Sequence, residues 1–482
     1  MLKNRSRSKI CITVGLGILM MGNLTAFAEQ SKEGAEILTF TQAIKVAQKN
    51  DPWLKGNRHQ QEAIESSSIA ANTLPDPKIS VGLASLPIDG FDYNQEGMTQ
   101  LKVGVSQMIP RGDTLKIRSR QLKIKSQGYP FQRENREAQV AVTVGQLWLD
   151  AYRVQESVAL IERDRSLFLQ LADVAEASYS AALGRTRQAD IIRAQLELTH
   201  LDERLDVLAQ ERNKFEGKLS QWLTDYLSGL DNDALLANLA LHDMNMGTQI
   251  PQLDLQHPEL VYAEKWRKPE QLVSYFTQHP AVIALDKRIE ATKTGIALAK
   301  EKYKPEWGVN AGYGYRGDDA IGRSRADLLS VGVTFDLPLF TENKQDQEVN
   351  SAISQTESIK TEKLLLLRQL LSNYSSTKGR LLRLNDQQKL YREKLLPQMY
   401  EQAEASLTAY TNDDGDFSEV VRSRIAVLNS EIDELTLNVE EQKIRLELNY
   451  LFMGNLNTAS SHGSKIINNS GQVAVVSELI NE

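Results

Sequence analysis

Apolar residues recur at alternating spacings of four and three in two consecutive series of this 482-residue chain. The first series runs from Val140 to Ala182, and the second runs from Ile191 to Trp222 after a short break at Gly184. This spacing lays one apolar stripe along each helix and predicts two antiparallel arms of a coiled-coil hairpin. Many stripe positions hold alanine, which lets helices approach closely, so we expect a wall of packed helices.

The placement of proline agrees with long helices. No proline falls between Pro130 and Pro251 or between Pro338 and Pro397, and none follows Pro397. Because proline removes a backbone donor and breaks a helix, such intervals can hold long uninterrupted helices. Pro130 itself predicts a kink or break near the start of the first hairpin. A second hairpin is predicted to turn at Tyr410–Asp416.

Strands are predicted at 79–85 and 99–109, and again at 307–316 and 327–337. In the second strand of each pair, large apolar residues alternate with small or polar ones. The large members are Leu101, Val103 and Val105 in one strand and Leu329, Val331, Val333, Phe335 and Leu337 in the other. The alternation suits a membrane barrel with a wet lumen, and a half-buried soluble sheet is the alternative. Four strands are too few to close a barrel around a lumen, so the barrel requires several chains.

The two halves of the chain match at one fixed offset, which indicates an internal tandem duplication. Asp51-Pro52 corresponds to His279-Pro280, 228 residues further on. At the same offset lie Pro77 and Pro305, Val103–Ser106 and Val331–Thr334, Pro110 and Pro338, and Ala175–Ser178 and Ala403–Ser406. We therefore expect a signal peptide at 1–28, a first structural repeat at 29–223, an inter-repeat linker at 224–272, a second structural repeat at 273–454 and a flexible C-terminal tail at 455–482.

The first residues have the pattern of an export signal. A basic start and an apolar run from Ile10 to Met21 lead to Ala26-Phe27-Ala28, a small-x-small cleavage site. The apolar run is shorter than the roughly 20 residues that a spanning helix needs, which disfavours a single-span anchor. The sequence therefore predicts export with cleavage after Ala28. The Asn/Ser-rich tail, by contrast, predicts a mobile or loosely docked extension.

Composition and motifs exclude several classes of function. A net charge of −7 without a clustered basic face argues against nucleic-acid binding. The single cysteine, Cys11, rules out a disulfide framework or a cysteine-based zinc site. The sequence contains no Walker, dinucleotide-binding, HExxH or GxSxG motif, so we expect no enzyme and no cofactor.

One segment carries ligands that suit Cu(I). His242, Met244 and Met246 place an imidazole and two thioethers at alternate positions in the predicted linker. The alternative is a Met-containing loop packed on helices, which is the commoner arrangement. The six histidines are otherwise scattered, and a channel needs no specific metal site because tight binding would slow exit. No dedicated metal site is therefore expected.

These features together resemble the TolC family of outer-membrane factors over roughly Phe40 to Gly454. Leu74–Pro77 and Val103–Pro110 carry most of the resemblance, and with Glu96–Thr99 they look most like the branch that serves heavy-metal RND exporters. The resemblance implies a mixed, mainly α fold: long antiparallel coiled-coil helices forming an α-barrel, plus four β-strands per protomer in a trimeric 12-stranded outer-membrane β-barrel.

The resemblance also implies a function and a set of partners. The chain is expected to be a passive exit duct in the outer membrane that spans into the periplasm. Its expected partners are two further copies, a periplasmic membrane-fusion adaptor, an inner-membrane RND transporter and outer-membrane lipid, with heavy-metal cations as cargo. A duct for drugs or secreted proteins is the alternative, and a non-pore periplasmic coiled-coil adaptor or tether is a further one. The adaptor should show one hairpin between small β domains, whereas this chain shows two hairpins.

Particular residues are expected at a periplasmic gate, where the two hairpin turns meet. In relatives, an acidic residue just past the turn and a tyrosine before the second turn hold the pore shut. The second turn is one residue longer than the first, so the offset between the repeats becomes 229 beyond the turns. At this offset Asp190 corresponds to Glu419, and Arg193 corresponds to Arg422. The expected gate residues are Asp190, Arg193, Tyr410, Asp413, Asp414, Asp416, Glu419 and Arg422. In a trimer the acids would form a narrow negative ring that attracts cations; a solvated acidic turn is the plain alternative.

Overall fold

The computed structural model describes residues 37–180, 187–224, 244–263, 267–319, 321–412 and 414–454. The predicted signal peptide, the first hairpin turn at Gly184, the imidazole of His242, the carboxylate of Asp413 and the predicted tail lie outside these ranges. The described helices are α1 (Phe40–Asn50), α2 (Pro52–Ala70), α3 (Thr114–Ser126), α4 (Tyr129–Ser180), α5 (Gln188–Leu223), α6 (Pro258–Val261), α7 (Pro269–Phe276), α8 (Pro280–Glu301), α9 (Gln345–Leu390), α10 (Leu396–Thr411) and α11 (Phe417–Leu451).

The predicted strands form one antiparallel sheet. Its strands are β1 (Lys78–Ala84), β2 (Gln100–Ile109), β3 (Trp307–Tyr315) and β4 (Leu328–Phe335), hydrogen-bonded in the order β1-β2-β3-β4. β4 is shorter than predicted at both ends because the flanking carboxylates accept backbone N–H groups: Asp327 from Arg316 at 3.0 Å and Asp336 from Glu306 at 2.6 Å. The predicted mixed fold, mainly helical with four strands, is confirmed.

Two helices that lie 228 residues apart begin in the same way. Asp51 caps α2, its carboxylate accepting the N–H of Trp53 at 3.0 Å, and Pro52 occupies the first helical position. His279 caps α8, its Nδ1 accepting the N–H of Ala281 at 3.2 Å, and Pro280 follows. Proline at that position sets the helical φ and lacks an N–H that the helix would leave unpaired.

The long helices break where proline enters them. α3 ends at Ser126 and α4 begins at Tyr129, so the break predicted from Pro130 falls just ahead of it and Pro130 lies in the first turn of α4. A π-helical turn at Tyr391–Leu395 joins α9 to α10, directly before Pro397. Proline lacks the N–H that would continue the helical ladder, and a π-turn accommodates that loss. The predicted end of the inter-repeat linker, residue 272, falls inside helix α7.

The apolar stripes meet in three buried clusters along the helices. One surrounds Trp148, where α1, α4 and α5 meet; a second surrounds Phe452, against α7 and α9; the third holds Ile161, Phe168 and Leu201 between the hairpins. The predicted stripes therefore supply much of the core. Along the described residues, no helix is both long enough and apolar enough to cross a lipid bilayer.

Candidate functional site

One face of the sheet is apolar across all four strands. The register joins Val81 to Val103, Val103 to Tyr313 and Tyr313 to Leu329, and the neighbouring row joins Ile79, Val105, Ala311 and Val331. Nearly all of these side chains are exposed, Ile79 by 76 % and Leu329 by 77 %. Soluble monomers rarely expose a continuous apolar surface of this kind, so the face is made to contact something apolar.

The opposite face consists of small and polar residues. One row across the strands reads Ser80, Gly104, Gly312 and Ser330. A Cβ on Gly312 would lie 3.1 Å from Lys102 Cε and 3.2 Å from Ser330 Oγ, so the neighbouring side chains already converge over this glycine. The side chains of this face therefore pack closely over its glycines. We refer to the small, polar face as the inner face of the sheet and to the apolar face as the outer face.

Both edges of the sheet are open within the described part of the chain. β1 pairs only with β2, and β4 only with β3. An open edge presents a row of unpaired N–H and C=O groups that can pair with a strand of another chain. Both edges of the sheet are therefore available for pairing with a strand of another chain.

The second hairpin turn is built by short-range contacts. Asp416 caps α11, its carboxylate accepting the N–H of Ser418 at 3.0 Å, and the N–H of Asp414 donates to the Ala409 carbonyl at 2.9 Å. A Cβ on Gly415 would lie 2.5 Å from the Tyr410 nitrogen, so the turn needs glycine there. Asp414 and Asp416 are both exposed.

Tyr410 is half-buried beside the turn. Its ring lies 5.5 Å from the ring of Phe417, at an angle of 62°. Phe417 is buried in the cluster that also contains Ala194 of α5, so the start of α11 packs against the start of the first hairpin's returning helix. The structure thus brings the starts of the two returning helices together.

The other expected gate residues occupy the first two turns of α5 and α11. Asp190 is buried, and its Oδ2 accepts the N–H of Arg187 at 2.9 Å, which closes the start of α5. Glu419 pairs with Arg422 one turn on, at 2.7 Å between Oε2 and Nη1. Asp190 therefore holds its own helix start, whereas Arg193 and Arg422 are exposed.

Charges from the first hairpin reach the second turn. The N–H of Ser418 lowers the pKa of Asp416 most, and the guanidinium groups of Arg193 and Arg187 lower it further. Arg187 was not among the residues predicted from the sequence. The offset of 229 pairs it with Asp416, which is the signal that could have revealed it. Arg187 and Asp416 thus occupy equivalent positions in the two repeats, carry opposite charges and attract each other.

The two methionines of the candidate copper segment are core residues. Met244 and Met246 are buried in the cluster around Trp148, and the N–H of Met246 donates to Gln155 Oε1 at 2.9 Å. Within the described ranges, no group of three or more His, Cys, Asp or Glu side chains could hold a metal ion. The thioethers serve in packing.

Comparison with known proteins identifies the fold. No protein-family model matches the chain, and no curated protein sequence does. The structure of CusC, a protein that forms a transmembrane channel, is 11 % identical and matches with a TM-score of 0.66 over 89 % of this chain and 95 % of that one. The CmeC outer membrane channel of Campylobacter jejuni is 12 % identical, with a TM-score of 0.67 over 91 % and 94 %.

A third solved structure agrees with these two. The outer membrane protein VceC of Vibrio cholerae is 12 % identical, with a TM-score of 0.66 over 86 % of this chain and 95 % of that one. The chain therefore has the fold of the TolC-like outer-membrane channels, and the resemblance seen in its sequence is confirmed at the level of the fold.

Proposed function

We propose that this chain is one protomer of a passive, trimeric exit duct in the outer membrane, serving a tripartite efflux system. The observation that carries the proposal is the open four-stranded sheet with an exposed apolar outer face and a small, polar inner face. Lipid is the natural contact of such an outer face, and water of such an inner one. The fold shared with outer-membrane channels supports the same conclusion.

Three copies account for both open edges. If β4 of each chain pairs with β1 of the next, three chains of four strands close a barrel of twelve, and no edge stays open. The helices continue from that barrel as the tunnel wall. α4 alone has 52 residues, which corresponds to about 78 Å at 1.5 Å per residue. The duct thus combines a short membrane barrel with a long helical tunnel.

The proposed partners follow from this architecture. A passive duct supplies no energy, so the cargo needs an energised pump in the inner membrane. From the family resemblance we propose an RND transporter as that pump and a periplasmic adaptor that joins it to the duct. Heavy-metal cations are our proposed cargo, from the sequence motifs at 74–77 and 96–99. Drugs or secreted proteins are the alternative cargo. A non-pore adaptor is disfavoured, because a tether has no use for an apolar outer sheet face.

Fractionation tests the duct, and susceptibility tests the cargo. The duct predicts a heat-sensitive trimer in detergent extracts of the outer membrane, whereas a soluble monomer would overturn it. In a deletion strain, loss of resistance to copper, silver or zinc salts would support metal cargo. Loss of resistance to drugs alone would keep the duct and replace its cargo.

We further propose that the hairpin turns form the periplasmic gate. Asp414, Asp416 and Glu419, with Asp413 beside them in sequence, would occur three times in the trimer as a ring of negative charge. Arg193 and Arg187 offset part of the repulsion at Asp416. The ring should favour cations over anions, as carboxylate-lined pores do.

Single-channel recordings test the gate. Neutralising Asp413, Asp414, Asp416 and Glu419 to Asn or Gln should weaken the preference for cations. Tyr410→Ala should raise conductance, because it removes the ring packed on Phe417. Unchanged selectivity, conductance and divalent block in both variants would show that these residues form an ordinary solvated turn.

A further inference from the structure

The segment that follows β4 exposes three large apolar side chains. Leu337, Leu339 and Phe340 are exposed by 62 %, 68 % and 85 %, and Phe340 is the most exposed of the large apolar residues in the described ranges. They lie between the end of β4 and the start of α9, outside every buried cluster of the described residues. Nothing in the helical core requires them.

The segment continues the outer face of the sheet. Alternate residues of β4 from Leu329 to Phe335 point to that face, and Leu337 and Leu339 extend the same alternation past the end of the strand. At that end, the ring of Phe335 lies 5.0 Å from the ring of Trp307. Aromatic residues of this kind gather where a membrane barrel meets the headgroup region.

Charged residues mark the boundary at the same level. Arg111 forms an ion pair with Asp336, its Nη1 donates to the Lys302 carbonyl at 2.9 Å, and its Nε lies 4.0 Å from Glu306. Leu339 and Phe340 come after this charged row in the chain. In the proposed duct, the apolar segment therefore directly follows the rim of the lipid-facing band.

The first repeat differs at these positions. At the offset of 228, Leu339 corresponds to Arg111 and Phe340 to Gly112. Arg111 is engaged in ion pairs, and Gly112 has a φ of +44°, a left-handed conformation that side chains rarely adopt. The apolar pair is therefore specific to the second repeat.

We propose that residues 337–340 form an interfacial anchor that inserts into the inner leaflet of the outer membrane and fixes the height of the barrel. The occupant of this surface is lipid, at the boundary between acyl chains and headgroups. The argument is continuity with the outer face of the sheet, and it rests on the proposed duct. Three copies in a trimer would ring the base of the barrel.

Fluorescence quenching in vesicles tests the anchor. Single cysteines replace Phe340, Val333, Thr334 or Glu342 in a Cys11→Ser background, and each carries a bimane label. The full-length protein is reconstituted in phosphatidylcholine vesicles whose acyl chains are brominated either near the glycerol or near the terminal methyl. Phe340 and Glu342 are both exposed, so their replacement leaves the core intact.

The four positions separate the possible results. At Phe340→Cys we expect a blue-shifted emission that bromine near the glycerol quenches. Val333→Cys lies deeper in the lipid-facing band, so bromine near the terminal methyl should quench it more than it quenches Phe340→Cys. Thr334→Cys and Glu342→Cys should keep their emission. Quenching at position 333 without quenching at 340 would overturn the anchor and leave the duct intact. Absence of quenching at both positions would overturn both.

Discussion

His279 shows how burial decides the chemistry of a single residue. Its imidazole is fully buried at the start of α8, where Nδ1 accepts the N–H of Ala281. Burial lowers the pKa of His279 to about 4, from an ordinary value of 6.5, because the charged form would be desolvated. The ring therefore stays neutral, which leaves Nδ1 free to accept. The equivalent cap in the first repeat, Asp51, does the same with a carboxylate.

Acid should therefore weaken the fold through His279. Because its pKa in the folded state lies below that in the unfolded state, the unfolded state binds the proton more tightly. The contribution is fully present above pH 6.5 and is lost as the pH falls towards 4. The difference between the two pKa values corresponds to a loss of at most about 3 kcal/mol in the free energy of unfolding. Thermal unfolding of wild type and His279→Asn at a pH above 6.5 and near 4 measures it.

Asparagine keeps a cap and cannot titrate, so His279→Asn should lose less stability in acid than the wild type. The carboxylates of the chain titrate in both proteins and cancel in the comparison. An equal loss in both proteins would show that His279 does not couple stability to pH.

Asp416 combines a structural and an electrostatic role, and two substitutions separate them. Asp416→Asn keeps an oxygen that can accept the Ser418 N–H, whereas Asp416→Ala removes it and should weaken the start of α11 by about 1 kcal/mol. Hydrogen exchange at the amides of Ser418 to Val420 measures the loss. If the amides exchange as fast in Asp416→Asn as in Asp416→Ala, the charge of Asp416 rather than its cap stabilises the start of this helix.

Sequence reasoning at the residue scale found the turn but not all of its contacts. Tyr410 and Asp416 could be identified because they flank a break in a long heptad pattern. The burial of Asp190 and the proximity of Arg187 to Asp416 could not be predicted, because both depend on how the two hairpins pack. The position of a charge on a helix is local information, whereas its partner on another helix is not.

At the scale of elements, one arginine joins the junction of α1 and α2 to α4 and α5. Arg136 donates to the buried carboxylate of Asp51 at 2.7 Å. Its guanidinium also lies 5.8 Å from the ring centre of Trp53 and 5.5 Å from that of Trp222. A planar guanidinium can contact the faces of both rings and donate to the carboxylate at the same time, whereas the ammonium of a lysine does this less well.

Removing this arginine should strand a buried negative charge. Arg136→Ala should lower the free energy of unfolding by about 3–5 kcal/mol, the usual cost of breaking a buried pair. Asp51→Asn keeps the cap of α2 without the charge, so the double variant should be more stable than additivity predicts. Denaturant unfolding of the two single variants and the double variant gives the coupling energy. Strict additivity would contradict a direct interaction.

The elements themselves were largely predictable. The sequence located β1, β2 and β3 to within one residue at each end, and alternation in β2 and β4 gave the two faces of the sheet, because successive side chains of a strand point to opposite faces. Heptad spacing located the arms of the first hairpin, and the internal repeat located the second hairpin. The π-turn at Tyr391–Leu395 and the short helices α6 and α7 were missed, since they follow from local proline effects and from docking on α9 rather than from periodicity.

At the scale of the whole molecule, the apolar outer face of the sheet is the feature that the single chain leaves unsatisfied. The apolar stripes predicted along the first hairpin, by contrast, contribute most of their described residues to buried clusters. The sheet face does not, although its register is complete. The sequence could predict which residues share this face, but not what covers it, because lipid and neighbouring chains lie outside the information in one chain.

Two substitutions on adjacent residues of β4 test directly whether the outer face of the sheet contacts lipid. Val333 points to the outer face and is exposed by 59 %, while Thr334 points to the inner face, where its hydroxyl donates to the Gly308 carbonyl. Val333→Arg should cost about 1–3 kcal/mol, between the values for the interface and the middle of the bilayer, because the guanidinium would have to enter lipid two residues inside the boundary at Phe335. Thr334→Arg places the same charge in the wet lumen and should be far milder.

Membrane insertion and trimer formation should be coupled, since the open edges of the sheet close only when three chains assemble in the bilayer. The yield of heat-sensitive trimer in outer-membrane extracts therefore reports the cost of each substitution. Val333→Arg should reduce that yield strongly, and Thr334→Arg should leave most of it. Because the two positions adjoin in one strand and receive the same side chain, β-propensity and size are matched. Equal yields would mean that the face carrying Val333 does not contact lipid, and the barrel would have to be abandoned.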